Sequence, residues 1–139
     1  DVDLQLPEDP MLVLGDPDAI TRVLYNLMDN AVKFAAPGST LCVSLWKSEG
    51  KAYVSVRDHG ETIPADDLPF IFDRFHKSDR SRSLDRDGVG LGLYLVKSIL
   101  DAHGEDIAVT SRDGETEFVF TLTLAKPEST GRRGGRKSS

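Results

Sequence analysis

The sequence predicts an α/β fold of two layers, a mixed sheet of about five strands packed on one face by helices. Three observations predict it. Two long segments repeat apolar residues every three and four positions, two pairs of short β-branched and aromatic runs are each joined by a turn, and the helix and strand signals alternate in an order that lets one core form between them. At 139 residues, 39% of them apolar, the chain is long enough for a single core of ordinary depth.

Taken in order, Met11 to Leu14 reads as an edge strand that ends at Gly15. Asp16-Pro17 then supplies a helix cap and a proline at the first helical position, where its missing N–H costs nothing. Ile20, Leu24, Leu27, Ala31 and Phe34 continue one apolar face, and Pro37-Gly38 stops it. Strands from Thr40 to Trp46 and from Ala52 to Arg57 follow, with the turn-forming residues Ser48 to Lys51 making them a hairpin. From Asp58 to Gly88 no periodicity holds: prolines flank a short apolar piece and charges alternate from Asp73 to Asp87. So long an irregular stretch has a binding role or is disordered, and residues 74–87, with little to bury, are expected to be mobile in the ligand-free state. A second helix runs from Val89 to Ala102, with Val89, Leu93, Val96 and Leu100 on one stripe, and His103-Gly104 ends it. Strands from Ile107 to Ser111 and from Glu117 to Leu124, joined by Arg112-Asp113-Gly114, close the domain at residue 125.

The formal charge of −6 is uneven. Residues 126–139 carry Lys126, Arg132, Arg133, Arg136 and Lys137 against Glu128, so this tail is +4 and the body before it −10. An acidic body argues against nucleic-acid binding, and the Gly/Ser/Arg-rich tail, with nothing apolar to bury, is expected to be disordered. No run approaches the roughly 20 apolar residues of a membrane helix, and the N-terminus lacks a basic-then-apolar leader, so a soluble piece is expected. Cys42 has no partner for an intrachain disulfide and reads as a buried thiol.

Three groups of residues carry chemistry. Asn26, Asn30 and Lys33 lie at i, i+4 and i+7 of the first helix, placing two amides and an ammonium on one face. An amide oxygen is a neutral hard ligand for Mg²⁺, which shares its remaining positions with water and phosphate, and a lysine offers the same phosphates a point charge. Asp58-His59-Gly60 follows a strand, where a carboxylate can accept from an exocyclic amine and a glycine admits a base near the backbone. Gly88-Val89-Gly90-Leu91-Gly92-Leu93 opens the second helix with glycine at alternate positions, freeing N–H groups at a positively polarised helix start, where proteins commonly hold phosphate. A dinucleotide fingerprint fails for want of a third glycine at Leu95, and no Gly-Lys-Ser/Thr loop is present.

In this order the groups resemble the histidine-kinase branch of the ATPase superfamily that includes gyrase, Hsp90 and MutL, whose domain is the Bergerat ATP-binding fold. The likeness spans about residues 10–125. Asn26 to Phe34 is similar to the N box, Asp58 to Ile63 to the G1 box, Phe72-Asp73-Arg74-Phe75 to the F box and Gly88 to Leu93 to the G2 box, while Gly114 to Leu122, with Thr116 and Phe118, is similar to the closing turn and strand. The resemblance also supplies the strand order within the sheet.

That resemblance implies ATP and Mg²⁺ as ligands, held on the helical side. Asn30 would be the principal Mg²⁺ ligand with Asn26 assisting, Lys33 a phosphate contact, and Asp58 the acceptor for the adenine amino group. Gly60 and Ile63 would let adenine pack closely, with Thr116 beside them. Gly88, Val89, Gly90, Leu91, Gly92 and Leu93 would form the lid hinge and phosphate cradle. Arg74 and Lys77 would reach the γ-phosphate, with Arg80, Arg82 and Arg86 as nearby alternatives, and Phe72 and Phe75 would anchor the lid or dock on the kinase's helical domain. Asn26 stands where gyrase-like relatives carry a general-base glutamate, so direct hydrolysis should be poor and transfer to a nucleophile supplied from elsewhere favoured. That nucleophile would be a histidine on a separate dimerisation domain, since His59, His76 and His103 all lie outside the expected setting. A response regulator downstream, a monomeric fragment, and the cytoplasmic part of an inner-membrane sensor kinase complete the expectation. Thr62 departs from the pattern Asp-x-Gly-x-Gly at its second glycine, where a side chain would narrow the pocket or meet a positive φ. Rival readings are a degenerate module serving as a docking surface and a serine kinase antagonising a sigma factor, against which the F box and charged lid favour the histidine kinase.

Overall fold

A computed structural model of the chain describes residues 2–6, 12–73 and 89–125. Its elements are β1 (Val2–Gln5), α1 (Pro17–Phe34), β2 (Leu41–Ser48), β3 (Lys51–His59), a single 3₁₀ turn (Leu68–Phe70), α2 (Val89–Ala102), β4 (Ile107–Arg112) and β5 (Glu115–Thr123). The strands form one sheet in the order β1-β2-β3-β5-β4, with β1 parallel to β2 and every other pair antiparallel. The predicted α/β sandwich with a mixed five-stranded sheet is what forms.

The first helix begins as its sequence requires. Asp16 Oδ1 accepts from Asp18 N at 3.0 Å and Pro17 opens the first turn. Its buried line is Val23, Leu27, Ala31 and Phe34, so Val23 joins the stripe while Ile20 and Leu24 flank it half-buried. On α2 the buried positions are Leu93, Val96 and Leu100. Both helices lie on the sheet face formed by Ala52, Val54 and Val56 of β3 and Phe118, Phe120 and Leu122 of β5. His103, just past α2, ties the helices together: its Nε2 accepts from Asp16 N at 3.2 Å while Nδ1 donates to Ile99 O at 2.9 Å.

Two expectations are corrected. The segment ending at Leu14 makes only an isolated bridge, Val13 to Leu124, and the edge strand beside β2 is instead Val2–Gln5. A strand pairs where a sheet edge is free, and β2 offers one to β1, whereas residues 12–14 bond at the end of β5 and just past it, with Thr123 and Ala125. Both hairpins are also longer and tighter than expected. Glu49-Gly50 and Asp113-Gly114 take positive φ at both turn positions, the geometry whose twist matches two antiparallel strands, so pairing runs up to the turns. Residues 74–88 and 126–139, which include the expected lid and basic tail, lie outside the described residues.

Candidate functional site

Rows of cross-strand neighbours on the helix-facing side of the sheet run from apolar to polar. Ala52 faces Leu122, Val54 faces Phe120 and Ile107 follows, then come Val56, Phe118 and Val109. The next row is Asp58, Thr116 and Ser111. Asp58 is therefore not a residue after a strand but a member of β3, which stays paired with β5 through His59. At 1% exposure it is a carboxylate buried beside hydrocarbon, a costly arrangement that a fold keeps only where donors meet it. Thr116 is 0% exposed, and its hydroxyl lies 2.7 Å from that of Ser111.

The end of α1 is stitched to the end of β3. Ala36 N donates to His59 O at 2.7 Å, Glu61 N to Phe34 O at 3.4 Å, and Ala35 bridges to Gly60. This crossing brings the last turns of α1, with Asn30 and Lys33, alongside the strand end that carries Asp58. A Cβ on Gly60 would stand 2.0 Å from Phe34 O, so glycine is demanded there by the protein's own backbone. The sequence alone suggests a ligand's approach as the reason for that glycine.

Asn30 is buried at 6% exposure, and among the described residues its Nδ2 has no hydrogen-bond partner. A buried amide left in that state calls for an explanation, and a ligand is one. Asn26, one turn earlier, is half-buried and lines an open cleft of about 480 Å³ with Asp18, Thr21, Arg22, Tyr25 and Leu95. Asp58 does not line that cleft. Lys33 is exposed and paired with Asp29 at 3.4 Å. No group of three His, Cys, Asp or Glu side chains comes together among the described residues.

Residues 15–126 match the model of the histidine kinase-, DNA gyrase B- and HSP90-like ATPases. The chain belongs to that family. Sensor histidine kinase CusS of Escherichia coli K12 is 40% identical over 121 residues, 87% of this chain and 25% of CusS. WalK of Bacillus subtilis is 39% identical over 120 residues, 84% of this chain and 20% of WalK. The chain thus spans a quarter or less of these relatives. Among solved structures, the catalytic domain of histidine kinase ThkA, in a nucleotide-free form, superposes with a TM-score of 0.76 at 27% identity, covering 88% of this chain and 78% of that one. The mycobacterial sensor histidine kinase MprB gives 0.74 at 28% identity, covering 88% and 82%. These matches bear out the reading of the chain as a catalytic ATP-binding domain of histidine-kinase type.

Within this ATPase domain the expected site residues divide into groups. Asn26, Asn30 and Lys33 sit on α1, Asp58 on β3, Gly60 just past it, and Thr116 on β5, the strand paired with β3. Ile63 and Leu93 send their side chains into the hydrophobic core. Val89, Gly90, Leu91 and Gly92 fill the first four positions of α2, whose N–H groups have no acceptor within the helix. Arg74, Lys77 and Gly88 lie outside the described residues. Phe72 packs edge-on against Phe118 with centroids 6.1 Å apart, while Phe75 is outside the description. Thr62 departs from one part of the expectation placed on it, the positive φ. It is absent from the positions of positive φ, and its Oγ1 accepts from Gly114 N at 2.7 Å. Sequence reasoning passed over Ser111, whose Oγ accepts from Ile63 N at 2.7 Å. Only the β4–β5 register could have revealed that serine.

Proposed function

We propose that this domain binds ATP with Mg²⁺ and donates the γ-phosphoryl group to a histidine on a separate dimerisation domain of its parent kinase, which in turn serves a response regulator. The observation that carries the reading is a buried carboxylate on β3 and a buried amide lacking a described partner on α1, on two elements joined by the Ala35–Gly60 bridge.

Each residue has a task that its surroundings suit. Asp58, fixed in a fully paired strand, accepts from the amino group of adenine. Asn30 and Asn26 offer amide oxygens to Mg²⁺, and their setting fits that ion, which prefers a few neutral or anionic oxygens plus phosphate and water to an all-protein cage. Mg²⁺, when bound, neutralises phosphate charge. Lys33, with Arg74 and Lys77, contacts phosphates, and the N–H groups of Val89 to Gly92 at the start of α2 face phosphate oxygens. Asn26 carries no carboxylate to activate water, so the site suits transfer over hydrolysis. The parent is an inner-membrane sensor kinase whose catalytic part lies in the cytoplasm, and the fragment alone is monomeric. AMPPNP is present in the structure of full-length ShkA, which matches this chain at 26% identity with a TM-score of 0.73 over 90% of it.

Calorimetry with ATP and Mg²⁺ tests the binding step: the wild-type chain binds and Asp58→Asn, which removes an acceptor and adds a donor, binds at least roughly tenfold more weakly. Mixing with the parent's histidine-bearing domain should then yield an acid-labile phosphohistidine. Binding unaffected by Asp58→Asn refutes the assignment, and a phosphoserine product would favour the sigma-factor antagonist.

A further inference from the structure

The segment Gly60–Ile63 joins the strand carrying Asp58 to the rest of the chain, and it is held on two sides. Toward α1 it has the Ala35–Gly60 bridge and the Glu61 N to Phe34 O bond. Toward the β4–β5 hairpin it has three further bonds. Gly60 N donates to Gly114 O at 2.7 Å, Gly114 N donates to Thr62 Oγ1 at 2.7 Å, and Ile63 N donates to Ser111 Oγ at 2.7 Å. Ser111 then meets Thr116, which stands opposite Asp58.

Gly114 is the second residue of a two-residue turn closed by Arg112 and Glu115, with φ +81°. Its N–H lies outside the strand ladder, so the Thr62 hydroxyl provides an acceptor inside the protein that no glycine at position 62 could supply. The segment therefore grips both polar groups of one turn peptide position.

We propose that Thr62 is a positioning residue for nucleotide binding: its hydroxyl clamps Gly60–Ile63 to the β4–β5 turn and so holds the Asp58–Thr116 row in its binding geometry before nucleotide arrives. The proposal rests on the ATP-binding reading above. A site that is in place only part of the time binds with its affinity reduced by that fraction, while the bound complex reacts normally. Loss of the clamp therefore acts on Kd and KM and spares kcat.

The test compares Thr62→Val, which keeps the shape and loses the acceptor, with Thr62→Ser, which keeps it. Calorimetry with ATP and Mg²⁺ should give a Kd raised roughly fivefold in T62V, the equivalent of one hydrogen bond of ordinary strength, and restored in T62S. With the parent's histidine domain, KM should rise by the same factor at unchanged kcat. Hydrogen exchange without nucleotide should show the Gly114 amide less protected in T62V and fully protected in T62S. A T62V Kd equal to wild type, or T62S as weak as T62V, overturns the positioning role, even if Gly114 exchange speeds up. A wild-type chain that binds no nucleotide instead refutes the function itself, and this role with it.

Discussion

Replacing Gly60 by alanine places a methyl group where the α1–β3 crossing leaves none. The Cβ would lie 2.0 Å from Phe34 O and 3.0 Å from both Ala35 Cα and Ala36 N, all of them backbone atoms that cannot rotate aside. Relieving the contact with Phe34 O means parting two chain segments by roughly 1 Å, and overpacking of this kind costs about 1–3 kcal/mol. The same movement stretches Ala36 N to His59 O and Glu61 N to Phe34 O, each worth about 0.5–1.5 kcal/mol. Together these come to about 2–6 kcal/mol, a large share of the 5–15 kcal/mol expected for a domain. At about 4 °C per kcal/mol for a chain of this size, the melting temperature should fall by about 8–24 °C. Thermal unfolding followed by circular dichroism measures it. Because Asp58 lies two residues before the clash, ATP affinity should also drop at temperatures where the variant remains folded. A variant melting within about 4 °C of wild type would show that the crossing yields easily, and the reason given for glycine would be wrong.

Two other substitutions separate stability from binding. Asn30→Leu replaces a buried amide lacking a described partner with hydrocarbon of similar size, so denaturant unfolding should show stability unchanged or raised, while Mg²⁺-dependent ATP binding disappears in calorimetry; a strongly destabilised variant would mean that the amide is satisfied within the fold. Glu105 is buried at the end of the sheet away from Asp58, and burial pushes its carboxyl pKa up, but hydrogen bonds from Lys51, Thr121 and Thr123, with the Lys51 charge, outweigh this and hold it below the ordinary glutamate value. A pKa lower in the folded state gives stability that is present above the unfolded value and lost as pH falls through the folded one. Glu105→Gln should therefore lose about 1–3 kcal/mol near neutral pH and show a flatter decline toward acid than wild type; parallel declines in urea titrations across that range would refute the sign.

Much of the architecture is written locally in the chain. The start of α1 follows from Asp16 and Pro17, its end from Pro37-Gly38, and the span of α2 from its apolar stripe and Gly104, because caps, prolines and amphipathic spacing act within a few residues of themselves. The order of the four motifs was equally legible, since it is a matter of residue types at short spacings. Tertiary structure decided what depends on partners far along the chain. Val2–Gln5 is a strand only because β2 leaves an edge beside it, and its four exposed residues carry no burial rhythm to announce that. Gly60 answers to a carbonyl 26 residues earlier, and Thr62 to an amide 52 residues later. Hydrogen bonds and steric limits between distant segments leave no periodic trace in sequence, so the bond that Thr62 accepts from Gly114 could be found only in the fold.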